Sequence, residues 1–248
     1  MLASLLSRTF AEAGYSVLAI DADPDSNLAA TFGFPQSDEI TPISEMSALI
    51  EERTGAPSGQ VGGFFKLNPK VDDLPEKYYL EYKGIKLMVM GRIKQGGTGC
   101  YCPENALLKA LITHLLLGRD EVVILDMEAG IEHLGRATAR AVDKLIVVVE
   151  PGRRSIETAY RIDKLAQEIG LHNIAIVGNK VRSKSERKFL TSSLPGFEFL
   201  GFIPYDQAMV EADLANLPLL ESSQQIINEV LNIYQALVST VQVPSKIN

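Results

Sequence analysis

Two hydrophobic patterns alternate along the chain. Residues 15–20, 122–125, 144–149, 173–177 and 197–203 are short, largely apolar runs with little alternation. Such runs read as strands buried on both faces, as in a parallel sheet. Between them lie longer stretches with apolar residues every three to four positions. The first is 2–13, with Leu2, Leu5, Leu6, Phe10 and Ala13 on one face and Gly14 as its stop. Residues 104–117, 155–169 and 222–241 predict further helices, with Pro103 at the first turn of one and Gly170 ending another. Shorter helices are predicted over 43–52, 133–141 and 184–191. Residues 79–82 and 86–89, joined across Lys83-Gly84, predict a hairpin. Strands alternating with helices predict an α/β fold: a doubly wound, mostly parallel sheet with helices on both faces and right-handed crossovers. No internal repeat or low-complexity segment interrupts it, and residues 1–248 are expected to form a single domain.

Polar residues gather where the predicted strands end, the edge at which open α/β sheets bind ligands. The run 122–125 leads into Asp126-Met127-Glu128-Ala129-Gly130. Asp126 is placed either to hold magnesium beside a nucleotide, as in a Walker B strand, or to cap a following helix. Gly130 lets backbone approach a ligand or pivot. The run 15–20 leads into Asp21-Ala22-Asp23-Pro24-Asp25-Ser26-Asn27-Leu28. Carboxylates at two strand ends can share one cation or serve as caps. Asn179-Lys180 and Pro204-Tyr205-Asp206 lie at two further strand ends; an Asn amide matches the edge of an adenine, although such loops are often rich in Asn and Pro.

Composition narrows the function. The net charge of −7 gives no general pull toward nucleic acid or anionic lipid. No apolar run is long enough to span a bilayer, and the last predicted helix has no basic residue before Lys246, so a membrane partner is not expected. With two cysteines and no disulfide framework, a reduced, cytoplasmic setting is expected. Those cysteines, Cys100 and Cys102, follow Gly96-Gly97-Thr98-Gly99. In extended chain their side chains share a face, and a disulfide across one residue is strained. Two thiolates half fill a zinc-like site, which a second copy on a twofold axis would complete. The competing reading is two idle thiols. Arg182, Lys184, Arg187 and Lys188 read as a solvated helix face, and His133 as a structural residue.

The segments 21–28, Cys100-Tyr101-Cys102, 125–135, 149–156, 179–181 and 203–206 resemble the deviant-P-loop ATPases related to MinD, ParA and the nitrogenase iron protein. Within that family the likeness is to the CooC group, the nickel-insertion accessory ATPases of carbon monoxide dehydrogenase maturation. The resemblance implies an ATPase with ATP/ADP and Mg2+, with Asp23 positioning the attacking water and Asp126 holding magnesium through water. It implies that Asn179 and residues 204–206 contact adenine. It further implies that Cys100 and Cys102 bind Ni2+ or Zn2+ at a homodimer interface, in a loop spanning 95–103, and that the partner is the carbon monoxide dehydrogenase apoenzyme. Asn27, Gly130 and Lys180 join the expected nucleotide site. The alternatives are a MinD/ParA-like partition or positioning ATPase, and an iron–sulfur electron carrier like the nitrogenase iron protein. The family pattern opens on a strand and a Gly-x-x-x-x-Gly-Lys-Ser/Thr loop that holds phosphate, and no such motif occurs in these residues. The chain opens on what resembles the helix after that loop. A truncated reading frame is therefore expected, short by roughly fifteen residues, with weak ATP binding.

Overall fold

The computed structural model describes residues 1–23, 25–58, 64–91, 102–117, 121–128, 134, 136–215, 223–241, 243, 244 and 246. In chain order the elements are α1 (Leu2–Glu12), β1 (Val17–Asp21), α2 (Leu28–Phe32), α3 (Ser47–Thr54), α4 (Leu74–Tyr78), β2 (Leu80–Tyr82), β3 (Ile85–Val89), α5 (Pro103–Leu117) and β4 (Val122–Asp126). They continue with α6 (Arg136–Ala139), β5 (Leu145–Val149), α7 (Arg153–Ile169), β6 (Ile174–Val181), α8 (Lys184–Ser193), β7 (Glu198–Pro204), α9 (Gln207–Leu214) and α10 (Gln224–Val238).

The strands form two blocks, ordered β2-β3-β1-β4 and β5-β6-β7. Every pairing is parallel except the β2–β3 hairpin, whose turn residues Lys83 and Gly84 both take positive φ, the twist a two-residue hairpin requires. The fold is thus the expected doubly wound α/β architecture. One face is covered by α1, α2 and α10, which pack on Val17, Ala19, Leu87 and Val177. The opposite face carries two clusters. Leu18, Ile20 and Met88 meet α5, while Val147, Val149 and Ile176 meet α7 and α8. Leu116, Leu125 and Met127 touch both clusters.

Several expected boundaries move. β1 runs on through Asp21, because Asp21 stays in register with Val89 and Asp126 on either side. β6 extends to Val181, so Asn179 and Lys180 lie inside its last turn of ladder rather than in a loop; Val181 still pairs with Pro204 of β7. The helix expected over 43–52 is a 3-10 turn at Ile43–Glu45 followed by α3. Of the helix expected over 133–141, only α6 is described, and His133 lies outside the described residues. The last helix is shorter than expected and is preceded by α9, which the pattern did not separate.

Candidate nucleotide site at the carboxyl edge

β1 and β4 lie side by side, with Asp21 opposite Asp126. The Ala22 N–H donates to the Asp126 carbonyl at 2.9 Å, so the loops leaving both strands start together. Asp21 is only 1 % exposed. Its Oδ2 accepts from the Leu28 N–H at 2.9 Å and its Oδ1 from the Asp23 N–H at 3.2 Å. The carboxylate therefore folds 21–28 back onto the strand end and fixes the start of α2. Burial raises the Asp21 pKa, and these backbone donors offset part of the rise. Sequence reasoning missed Asp21 as a positioning residue. Its signal was an aspartate one step beyond the apolar run, opposite another on the neighbouring strand.

Asp23 accepts the Asp25 N–H at 2.8 Å on Oδ1, and its carbonyl accepts the Ser26 hydroxyl at 3.0 Å. Pro24 lies outside the described residues. Asn27 precedes α2 without a side-chain cap bond; its carbonyl accepts from the Thr31 hydroxyl at 2.9 Å. Among the described residues no group of three or more potential metal ligands assembles, and Asp21 and Asp23 both accept loop amides.

Asp126 is differently placed. It lines a cleft with Glu128 and Asn179. Among the described residues the next helix after β4 is α6, from Arg136. Burial raises the Asp126 pKa; the Met1 ammonium opposes the rise, while Asp21 and Asp23 add to it. An anionic ligand alone would be repelled here, whereas a cation would be drawn in. One carboxylate suffices for a magnesium ion that takes its other ligands from phosphate and water. Gly130, after this strand, lies outside the described residues.

On β6 and β7 the Asn179 Oδ1 is buried and has no hydrogen-bond partner. An orphaned buried acceptor is costly and suits a ligand N–H. Lys180, at φ +54°, pairs with Glu150 at 2.7 Å. The Tyr205 N–H donates to the Val181 carbonyl at 3.1 Å, and the Arg182 guanidinium sits 4.4 Å from the Tyr205 ring centre. Tyr205 also donates its hydroxyl proton to Gln207 Oε1 at 2.9 Å. Asp206, just after Pro204, accepts the Ala208 N–H at 2.9 Å and the Ser223 hydroxyl, tying the start of α9 to the start of α10. Those donors, Ser223 first, hold Asp206 below the usual carboxylate range.

Cys102 is half-buried immediately before α5, and its carbonyl accepts the Ala106 N–H at 3.1 Å. Cys100 and the glycine run before it lie outside the described residues. The last helix packs its apolar face against α1 and β7, and no helix among the described residues is long and apolar enough to cross a membrane.

The structure thus brings Asp23, Asn27 and Asp126 to one stretch of the carboxyl edge, and Asn179, Lys180, Pro204, Tyr205 and Asp206 to another stretch of that edge. The family model described as the CobQ/CobB/MinD/ParA nucleotide binding domain matches residues 1–219. The chain is 44% identical over 239 residues to the carbon monoxide dehydrogenase accessory protein CooC of Rhodospirillum rubrum, a match covering 96% of this chain and 90% of that protein. It is 46% identical over 220 residues to an uncharacterised ATP-binding protein of Methanocaldococcus jannaschii, covering 88% and 85%. The fold matches MinD in the MinC:MinD complex of Aquifex aeolicus with a TM-score of 0.65 at 19% identity, covering 99% of this chain and 92% of that one. A plasmid partition protein of Borrelia burgdorferi bound to AMPPNP matches at 0.66 and 14% identity, covering 97% and 93%. From sequence and fold together, the chain belongs to the CobQ/CobB/MinD/ParA nucleotide-binding family and is of the CooC type within it.

Proposed function

We propose that the chain is the nucleotide-binding body of a cytoplasmic, homodimeric ATPase that hands nickel to the carbon monoxide dehydrogenase apoenzyme. The observation that carries this reading is the 44% identity to CooC across 96% of a chain that also holds Cys100-Tyr101-Cys102. Residues 1–248 act as one domain, with 95–103 as its metal and dimer loop.

In this reading Asp126 holds magnesium through water, which when bound neutralises charge on the β- and γ-phosphates. Asp23 orients the water that attacks the γ-phosphate in line, releasing ADP. Its carboxylate is held by the Asp25 N–H for that purpose. The orphaned Asn179 Oδ1 accepts from the adenine amino group, and the loop 204–206 closes over the base. Asn27, Gly130 and Lys180 complete the surround. Nickel is the cargo, held by Cys100 and Cys102 and their symmetry mates. The phosphates need a backbone cradle, and no Gly-x-x-x-x-Gly-Lys-Ser/Thr occurs in these residues, so ATP binding by this chain alone is weak.

Nickel titration tests the cargo role with the chain as it stands. One Ni2+ per two chains is expected, with the dimer favoured by metal and both effects lost in Cys100→Ser and in Cys102→Ser. Nickel binding unchanged by either substitution would refute it.

A further inference from the structure

The segment Arg182-Ser183-Lys184-Ser185-Glu186-Arg187-Lys188 gathers four cations in a chain whose net charge is −7. Arg182 follows the end of β6, and the other three lie in the first half of α8. All four are exposed. At three- and four-residue spacing, Lys184, Arg187 and Lys188 share one helix face, where like charges repel. The helix end they crowd already carries the positive pole of its dipole.

The surrounding fold does not offset this charge. Among the described residues none of the four side chains forms an ion pair, whereas neighbouring Lys180 pairs with Glu150 at 2.7 Å. Glu186, the one carboxylate of α8, serves the backbone instead: its Oε2 accepts the Arg182 N–H at 2.6 Å. Uncompensated cations at this end cost the helix stability, so a purely structural role does not account for them.

Aromatic rings hold two of the cations in place. The Arg187 guanidinium sits 4.3 Å from the Phe202 ring centre, and Phe202 stacks on Phe199 with ring centres 5.2 Å apart and planes within 10°. Arg182 rests in the same way on Tyr205, at 4.4 Å. A guanidinium resting on a ring face is positioned in advance, so less side-chain freedom is lost when its N–H groups meet an anion. Phe189, next to Lys188, is 37 % exposed and adds an apolar contact.

We propose that this face docks a short acidic segment of a partner protein, with carboxylates on Arg182, Lys184, Arg187 and Lys188 and one apolar side chain against Phe189. A guanidinium fork meets a carboxylate at two points, which a free lysine does not. Lys184 to Lys188 rise only about 6 Å along α8, so a few residues of extended chain cover the face. A nucleic acid or a bilayer would engage a far longer stretch of cations, and a chain of net charge −7 repels both at longer range. The proposal rests on surface charge and ring contacts and stands apart from the nickel and nucleotide reading.

Fluorescence anisotropy of a labelled peptide of about ten residues, Glu and Asp around a central Leu, tests it on the full chain. Saturable binding is expected, weakening as salt rises and absent for the same peptide written in Gln and Asn. Arg182→Gln with Arg187→Gln is expected to weaken binding at least about tenfold. Lys66→Gln with Lys70→Gln removes as much charge from another exposed segment and is expected to leave binding within about twofold. If the arginine pair does not fold, Lys184→Gln with Lys188→Gln takes its place, with weakening again expected. No saturable binding, equal binding of the Gln/Asn peptide, or an equal loss in the Lys66 and Lys70 variant overturns the proposal. So does tighter binding of duplex DNA or of phosphatidylserine vesicles than of the acidic peptide. Self-association of the chain that the arginine substitutions abolish also overturns it, because a second copy would then be the occupant.

Discussion

Asp21 shows how one buried carboxylate organises a site it does not itself fill. Its two oxygens take the Leu28 and Asp23 amides, which places Asp23 and Asn27 at the rim beside Asp126. Asp21→Ala leaves both donors without that acceptor, and a loss of about 1–3 kcal/mol in unfolding free energy is expected by denaturant titration at neutral pH. The pH dependence has a definite sign. The folded pKa lies above the ordinary value, so between the two the native state holds a proton that the unfolded chain has released. Stability therefore falls as pH rises through that window, and Asp21→Asn should flatten the fall in a Tm-versus-pH series. From the sequence, Asp23 and Asp126 were legible as rim residues because each follows an apolar run. Asp21 was not, since the composition of 21–25 does not say which aspartate turns inward. Asp206 was legible by position, but its carboxylate is spent on the starts of two helices.

At the scale of elements, apolar runs identified β1, β4, β5 and β7 because strands buried on both faces need apolar side chains throughout. The pattern stopped β6 too early, since Gly178, Asn179 and Lys180 read as loop. Pairing with β7 overrides their weak strand propensity, at the cost of an irregular register and a positive φ at Lys180. α10 lies so close to β7 that a Cβ on Gly201 would sit 2.5 Å from Ile233 Cγ1. Gly201→Val should lift the helix and cost about 1–3 kcal/mol, read as a lower Tm. α3 and α4 are clamped by Arg53, whose two terminal nitrogens meet the Asp73 oxygens at 2.7 and 2.8 Å, with Lys77 on the same carboxylate at 2.7 Å. Arg53, then Lys77, hold Asp73 far below the usual carboxylate range. The clamp contributes above the ordinary Asp pKa and is lost as pH falls through the depressed one. Arg53→Met should therefore lower Tm at neutral pH, with the deficit shrinking toward strong acid.

For the molecule as a whole, the arrangement of strand ends decides what it can do. Parallel strands in both blocks deliver their polar tips to one edge, and the cleft between the blocks opens beside Asp126 and Asn179. The strand order within the two blocks could not be read from sequence, because it is set by packing rather than by order along the chain. The central claim is that this rim is a nucleotide site centred on Asp126, and ATP turnover tests it most directly. The chain is measured as it stands, with an apolar strand and a Gly-x-x-x-x-Gly-Lys-Thr loop ahead of Met1, and with that extension plus Asp126→Asn. Turnover is expected in the extended chain, near background in the unextended one, and at least about tenfold lower with Asp126→Asn. Equal turnover with and without the extension, or an Asp126→Asn variant as fast as its parent, would contradict the account.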